Sequence, residues 1–185
     1  EIARIVEPHV DYISLHMGSY WRFHKLLSPM DDPLGHEMPA NEPIIKQLTK
    51  PTIVVGRIMT LDHAESIVES GQADMVSMVR ALIADPGLVN KAKQGNSELI
   101  RPCIGSNFGC VGQIMSTGKL GCVVNIAAAQ ETEVSFEPEG ISKTPEKILI
   151  VGGGPAGLEA ARTAAIRGHD VHLHEATKQL GGQVA

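Results

Sequence analysis

The sequence predicts an α/β protein in two parts: parallel strand–helix units, then the opening strand–turn–helix–strand of a Rossmann-like nucleotide-binding domain. Three observations carry this. Short apolar runs that end in turn residues alternate with stretches of helical period over residues 10–95. A polar segment from Glu131 to Lys147, with Pro138, Gly140 and Pro145, breaks that alternation and reads as an interdomain linker. A fresh apolar strand then leads straight into Gly152-Gly-Gly-Pro-Ala-Gly157.

The elements follow in order. Val10 to Met17 is a strand candidate with Ile13, Leu15 and Met17 on one face. Ser28 to Pro43 holds four prolines and two adjacent aspartates and reads as a loop. Ile44 to Thr49 reads as a short helix that Pro51 cannot continue. Thr52 to Val55 is a continuous apolar run ending in Gly56-Arg57, the mark of a strand buried on both faces. Thr60 is the N-cap of the next helix, Leu61, Ala64, Ile67 and Val68 its inner face, and Gly71 its stop. Asp74 to Met78 is a second buried strand leading to Val79-Arg80, and helical residues run on to about Gly95. From Arg101 to Gly121 seven of 21 residues are Gly or Cys and no period survives.

Composition excludes several function classes. With one Trp, two Tyr and three Phe, the chain cannot build a nucleic-acid surface of stacked rings, and a net charge of −5 leaves no basic stripe for a polyphosphate. No apolar run approaches the ~20 residues of a membrane span, and no signal-peptide pattern opens the chain. Neither nucleic acid nor a membrane is therefore expected as a partner. The chain begins Glu-Ile-Ala and stops just after a second Rossmann-type strand, so it reads as an internal piece of a longer, soluble, cytoplasmic protein. Cys103, Cys110 and Cys122 cluster within twenty residues, and an odd number without a leader speaks against a disulfide framework.

The Gly152 motif has the context that gives it meaning. Ile148 to Val151 precedes it as a strand. A helix follows, with Leu158, Ala161 and Ala165 inward and Gly168 at its end. Val171 to His174 forms the second strand and finishes in Glu175. Gly152 allows the tight turn, Gly154 lets backbone approach a pyrophosphate, Ala156 lies in the first helical turn, and Gly157 permits close helix–strand packing. The helix start offers N–H groups and a positive dipole end to the anion. Glu175, 23 residues after Gly152, is placed to accept from adenosine ribose hydroxyls. The Gly-Gly pair in Lys178-Gln-Leu-Gly-Gly-Gln183 lets the following loop fold back over the cofactor, which points to FAD.

Taken together, Val55-Gly-Arg-Ile58, Ala73-Asp-Met-Val76, Arg80-Ala-Leu-Ile-Ala-Asp-Pro86, Ile100-Arg-Pro-Cys-Ile-Gly105 and the Gly152 motif, in that order, resemble the flavoprotein family of 2,4-dienoyl-CoA reductase, trimethylamine dehydrogenase and related NADH:flavin oxidoreductases. The resemblance covers nearly the whole chain. It implies that residues 1–100 are the last βα units of an FMN-binding (β/α)8 TIM barrel and 101–130 an iron–sulfur cluster loop. Residues 131–146 would be a linker, and 147–185 the first βαβ of a FAD-binding domain. It implies FMN contacts at Gly56, Arg57, Val79 and Arg80, and FAD contacts at Gly152, Gly154, Ala156, Gly157, Glu175 and Gln183. Cys103, Cys110 and Cys122 would be cluster ligands.

The implied activity is NAD(P)H-dependent reduction of an activated C=C bond in a small molecule, with an iron–sulfur relay between the flavins. Oxidative demethylation of an amine is the rival within the family. A non-catalytic nucleotide-binding or electron-transfer module is the rival outside it, and assembly into a homo-oligomer stays open. Three positions depart from the family pattern. Ser19 stands where amine dehydrogenases place an Asp, Val79 where relatives often have Gly, and Ser106 at the second cysteine of the 4Fe-4S spacing Cys-x2-Cys-x3-Cys-x11-Cys. Asn125-Ile-Ala-Ala-Ala-Gln130 also differs from the Asn-Pro and Gly-Arg pattern of relatives. His16, Tyr20, Trp21 and His24 lie near the substrate side in this reading, without a catalytic role.

Overall fold

A computed structural model describes residues 1–184 and divides the chain into two compact units, Glu1–Glu131 and Thr132–Ala185. The first unit runs α1 (Ile2–Val6), β1 (Ile13–Leu15), α2 (Phe23–Leu26), α3 (Met38–Ile45), β2 (Thr52–Val54), α4 (Leu61–Glu69), β3 (Met75–Val76), α5 (Val79–Ala84), α6 (Leu88–Lys93) and α7 (Gln113–Thr117). Its three strands form one parallel sheet in the order β1-β2-β3, with Leu15 opposite Val54 and Val54 opposite Val76. Parallel pairing requires crossovers, and the helices between the strands supply them. Val54, Ile58, Ala64, Ile67, Met78 and Leu88 form the buried core under these helices.

α4 has the ends the sequence predicts. Thr60 Oγ1 accepts from the His63 amide at 3.3 Å. At the other end the Gly71 amide bonds to Val68 O and the Gln72 amide to Ile67 O, the paired closure of a Schellman motif. Past α5, the fully buried Asp85 accepts from Lys91 Nζ at 2.8 Å, the Gly87 amide at 3.0 Å and the Arg101 amide at 2.9 Å. One carboxylate thereby ties the α5–α6 corner to the start of the cysteine loop.

The structure departs from the sequence expectation in the Pro-rich segment. Residues 38–45, expected mostly as loop, form α3, and the helix expected over Ile44–Thr49 ends at Ile45. Pro39 sits in the first turn, where its missing N–H has no helical partner to lose. Pro43 lies inside the helix, and burial of Met38 and Asn41 holds the turn around it. The loop from Arg101 also carries more order than its composition suggests: a single π-turn over Phe108–Gly112 runs into α7, which ends at Gly118.

The second unit pairs β4 (Lys147–Val151) with β5 (Asp170–His174) in parallel, Leu149 opposite His172, with α8 (Pro155–Ile166) crossing between them. Leu158, Ala161 and Ala164 are the half-buried apolar residues of α8, whereas Ala165, expected inward, is exposed. Among the described residues, no helix is long and apolar enough to cross a membrane.

Candidate functional site

The carboxyl ends of β1, β2 and β3 open onto a cleft of about 300 Å³ lined by His16, Ser28, His36, Glu37, Gly56, Arg57, Ser77, Val79 and Arg80. Gly56 takes φ +122°, and a Cβ there would stand 2.7 Å from Glu37 Cγ, so only glycine turns the chain at this point. Arg57 follows in the left-handed region at φ +54°. Its Nη1 donates to Met30 O at 2.8 Å and to Asp32 O. Its Nε is buried and has no hydrogen-bond partner among the described residues.

Arg80, on the first turn of α5, is half-buried. Its Nη1 donates to Ser28 O and to Asn107 Oδ1, each at 2.7 Å. Asn107, itself at φ +59°, donates from Nδ2 to Leu27 O at 2.6 Å. Burial pushes the Arg80 guanidinium below its ordinary pKa; the nearby Cys103 and Cys110 side chains act against this, and Arg57 adds to it by like-charge repulsion. Val79 precedes Arg80 with an exposed side chain.

Glu37 is a site residue that sequence reasoning missed. Its side chain is 1% exposed, accepts from the Met17 amide at 2.8 Å, and lies 3.1 Å from His16 Nδ1. The His36 ring beside it is 5% exposed; its Nε2 stands 3.8 Å from Glu37 and has no hydrogen-bond partner among the described residues. The available signal was a His-Glu pair inside a Pro-rich stretch, which is weak by itself. Of the aromatic and histidine residues near β1, only His16 lines the cleft; Tyr20, Trp21 and His24 are exposed. A larger apolar groove of about 860 Å³ lies along α4 and α6 and contains neither Gly56, Arg57 nor Arg80.

In the second unit the turn after β4 carries the Gly152–Gly157 motif between a strand and a helix. Gly152 takes φ +103°, and its amide continues the sheet to His174 O at 2.8 Å. At Gly157 a Cβ would fall 1.9 Å from Gly152 O, so α8 meets the turn at a distance only glycine allows. Gly154 faces open space, and Ala156 in the first helical turn is exposed. Glu175 accepts from the Gly153 amide at 2.7 Å and the Thr177 amide at 2.9 Å, and these two bonds hold its carboxyl below the usual range. The Gly181 amide bonds to Gly153 O at 2.8 Å, which folds the Gly-Gly loop back onto the turn, with Gln183 exposed in the short helix that follows.

Cys103, Cys110 and Cys122 are free, half-buried thiols. Gly109 packs on the backbone of Cys122 and Val123, and the Val124 amide lies 3.4 Å from Cys122 Sγ. Ser106 Oγ accepts from the Phe108 amide at 3.4 Å. Among the described residues, no three His, Cys, Asp or Glu side chains gather as a metal-binding group, these cysteines included.

Comparison with known proteins adds two family matches. The model of the NADH:flavin oxidoreductase / NADH oxidase family covers residues 4–98, and that of the FAD dependent oxidoreductases covers residues 147–185. The chain is 48% identical over 141 residues to a metal reductase of Desulforamulus reducens, covering 76% of this chain and 21% of the relative. It is 36% identical over 185 residues to a cinnamate reductase of Clostridium sporogenes, covering 100% of this chain and 27% of the relative. Histamine dehydrogenase from Rhizobium sp. 4-9 superposes with a TM-score of 0.87 at 32% identity, over 97% of this chain and 26% of that one. The chain thus spans only about a fifth to a quarter of the length of these proteins.

The two glycines of the turn make opposite predictions. Gly157→Ala drives a methyl into the Gly152 carbonyl and lowers stability by about 1–3 kcal/mol, the usual cost of overpacking. Gly154→Ala meets nothing within 4 Å and leaves the folded unit intact. Denaturant unfolding of the two variants separates them; equal destabilisation contradicts the packing described.

Proposed function

The chain belongs to the NADH:flavin oxidoreductase / NADH oxidase family, and from that premise we propose that the intact enzyme carries FMN and FAD and uses NAD(P)H to reduce an activated C=C bond. Residues 1–100 are the last βα units of the FMN barrel in this reading, 101–130 the cysteine-bearing cluster loop, 131–146 the linker, and 147–185 the first βαβ of the FAD domain. The observation that carries it is the pair of guanidinium groups, Arg57 and Arg80, in one cleft at the carboxyl ends of parallel strands. Burial, and to a lesser degree the Arg57 charge, depress the pKa of Arg80, and the buried Arg57 Nε has no hydrogen-bond partner among the described residues. Like charges held together call for an anion, and phosphates bind where parallel strands of such barrels end.

The residues fit FMN. Arg57 and Arg80 would hold its phosphate, Gly56 makes the turn that presents Arg57, and the Val79 amide opens the adjoining helix. Bound FMN accepts a hydride and releases electrons singly; the chain supplies orientation and charge. In the second unit Gly152, Gly154, Ala156 and Gly157 take the FAD pyrophosphate at the start of α8, Glu175 faces the ribose, and Gln183 lies on the loop that closes over it. Glu175 has acceptor capacity left for a ribose hydroxyl after its two amide bonds.

A four-thiolate iron–sulfur cubane does not fit the loop, because Ser106 occupies the second ligand position and the three thiols do not gather. No electron step is therefore routed through it. A second reading, amine oxidation, rests on the likeness to histamine dehydrogenase, and Ser19 in place of an acid weighs against it.

Three outcomes follow for the intact enzyme. NADH or NADPH bleaches its flavin absorbance and trans-cinnamate restores it, while dimethylamine alone leaves the flavin oxidised; bleaching by the amine puts the second reading first. Arg80→Ala weakens FMN retention by about tenfold to hundredfold, the worth of one charge-assisted phosphate contact, and leaves FAD in place. Chromatography of the extracted flavins measures this, and equal loss of both indicates general unfolding instead. Anaerobic reconstitution gives fewer than four irons per wild-type chain, and Ser106→Cys raises iron and sulfide together, because thiolate binds iron more strongly than a serine hydroxyl. A wild-type chain that already holds four irons contradicts the assignment of Ser106.

A further inference from the structure

The cysteine loop meets both arginines of the cleft, and the flavin reading gives that contact no task. Gly105, at φ +72°, is buried where a Cβ would stand 3.4 Å from Arg57 Nη2. Two residues on, Asn107 Oδ1 accepts from Arg80 Nη1 at 2.7 Å, and Asn107 Nδ2 donates to Leu27 O at 2.6 Å. The Asn107 carbonyl takes the Gly112 amide at 2.9 Å, the bond that closes the π-turn. Its backbone lies in the left-handed region at φ +59°, which asparagine tolerates better than most residues with a side chain. With carbonyl and side chain both engaged, the side-chain amide is held in one orientation.

A guanidinium recognises a phosphate through a planar fork of donors, so its rotation decides what it can hold. Arg80 Nη1 has two hydrogens, and Ser28 O and Asn107 Oδ1 take them, each at 2.7 Å. The edge that remains is Nε with Nη2, a pair of parallel donors suited to two oxygens of one phosphate. Ser28 contributes a backbone carbonyl, which any residue would supply at that point. Asn107 contributes a side chain, from 27 residues further along the chain.

We propose that Asn107 is a positioning residue for the flavin phosphate: it pins the Arg80 guanidinium so that the Nε–Nη2 edge is left for the anion. The proposal rests on the flavin reading and deepens it. Flavin affinity then depends on the fold of the cysteine loop, because the loop carries one side of the clamp. Linkage makes the dependence mutual, since a phosphate that holds Arg80 in place also favours the loop conformation that presents Asn107. Asn107 supplies orientation and no charge, so its loss leaves the cation in the cleft and removes its preorganisation.

The test is equilibrium dialysis of the FMN-depleted intact enzyme against FMN and against riboflavin, which lacks the phosphate. Asn107→Gly keeps the left-handed backbone without strain and removes the side chain. It lowers FMN affinity by about threefold to tenfold, the worth of one hydrogen bond, and leaves riboflavin affinity unchanged. In an Arg80→Ala background the same substitution has no further effect on FMN, because the group it positions is gone. The FAD content of each variant as purified serves as the check on folding. Equal losses for FMN and riboflavin, unchanged FMN affinity in Asn107→Gly, or additive losses in the double variant overturn the proposal while leaving the flavin reading intact. A wild-type enzyme that holds no FMN overturns the flavin reading and the proposal together.

Discussion

Arg80 gives its Nη1 to two acceptors from distant parts of the chain, Ser28 O and Asn107 Oδ1, and Asn107 in turn donates to Leu27 O. This network draws the loop after α2, the start of α5 and the head of the cysteine loop into one place. A half-buried guanidinium loses solvation, and that loss is offset only while its acceptors stay in position. Arg57 repeats the arrangement next door, with Met30 O and Asp32 O as acceptors. The cleft between them is therefore built from carbonyls that immobilise two cations, an electrostatic preorganisation for an anion that costs little further ordering when the anion arrives.

The second unit reaches a comparable end by sterics. Gly157 against Gly152 O sets how closely α8 approaches the sheet, and the Gly181–Gly153 bond fixes the loop that returns over the turn. Glu175 is engaged by backbone amides before any ribose arrives, so its orientation is set by the fold. Because those bonds hold its pKa below the usual carboxylate range, they persist at mildly acidic pH and are lost only as pH falls through that depressed value.

Much of this was legible in the sequence, for physical reasons that differ by element. β2, α4 and β4 declare themselves by apolar runs and caps, because Thr60 and Gly71 act within a few residues of where they stand. The arginines at Gly56-Arg57 and Val79-Arg80 were legible by their place after strands. α3 was hidden because Pro39 and Pro43 are local breakers that burial overrides. Glu37 was hidden for a related reason: its partners are Met17 and His16, some twenty residues away, and no periodicity encodes that contact. The cysteine loop shows the limit from the other side. Its spacing matches the family pattern while Ser106 stands at the second position, and the spacing by itself does not carry the identity of the ligand there.

The two proposed nucleotide sites differ in construction, one electrostatic and one steric, which makes the central claim a matter of stoichiometry. The most direct measurement is denaturation of the purified intact enzyme followed by separation and quantitation of the released flavins. The proposed reading predicts one FMN and one FAD per chain. A single flavin species, at any occupancy, contradicts it.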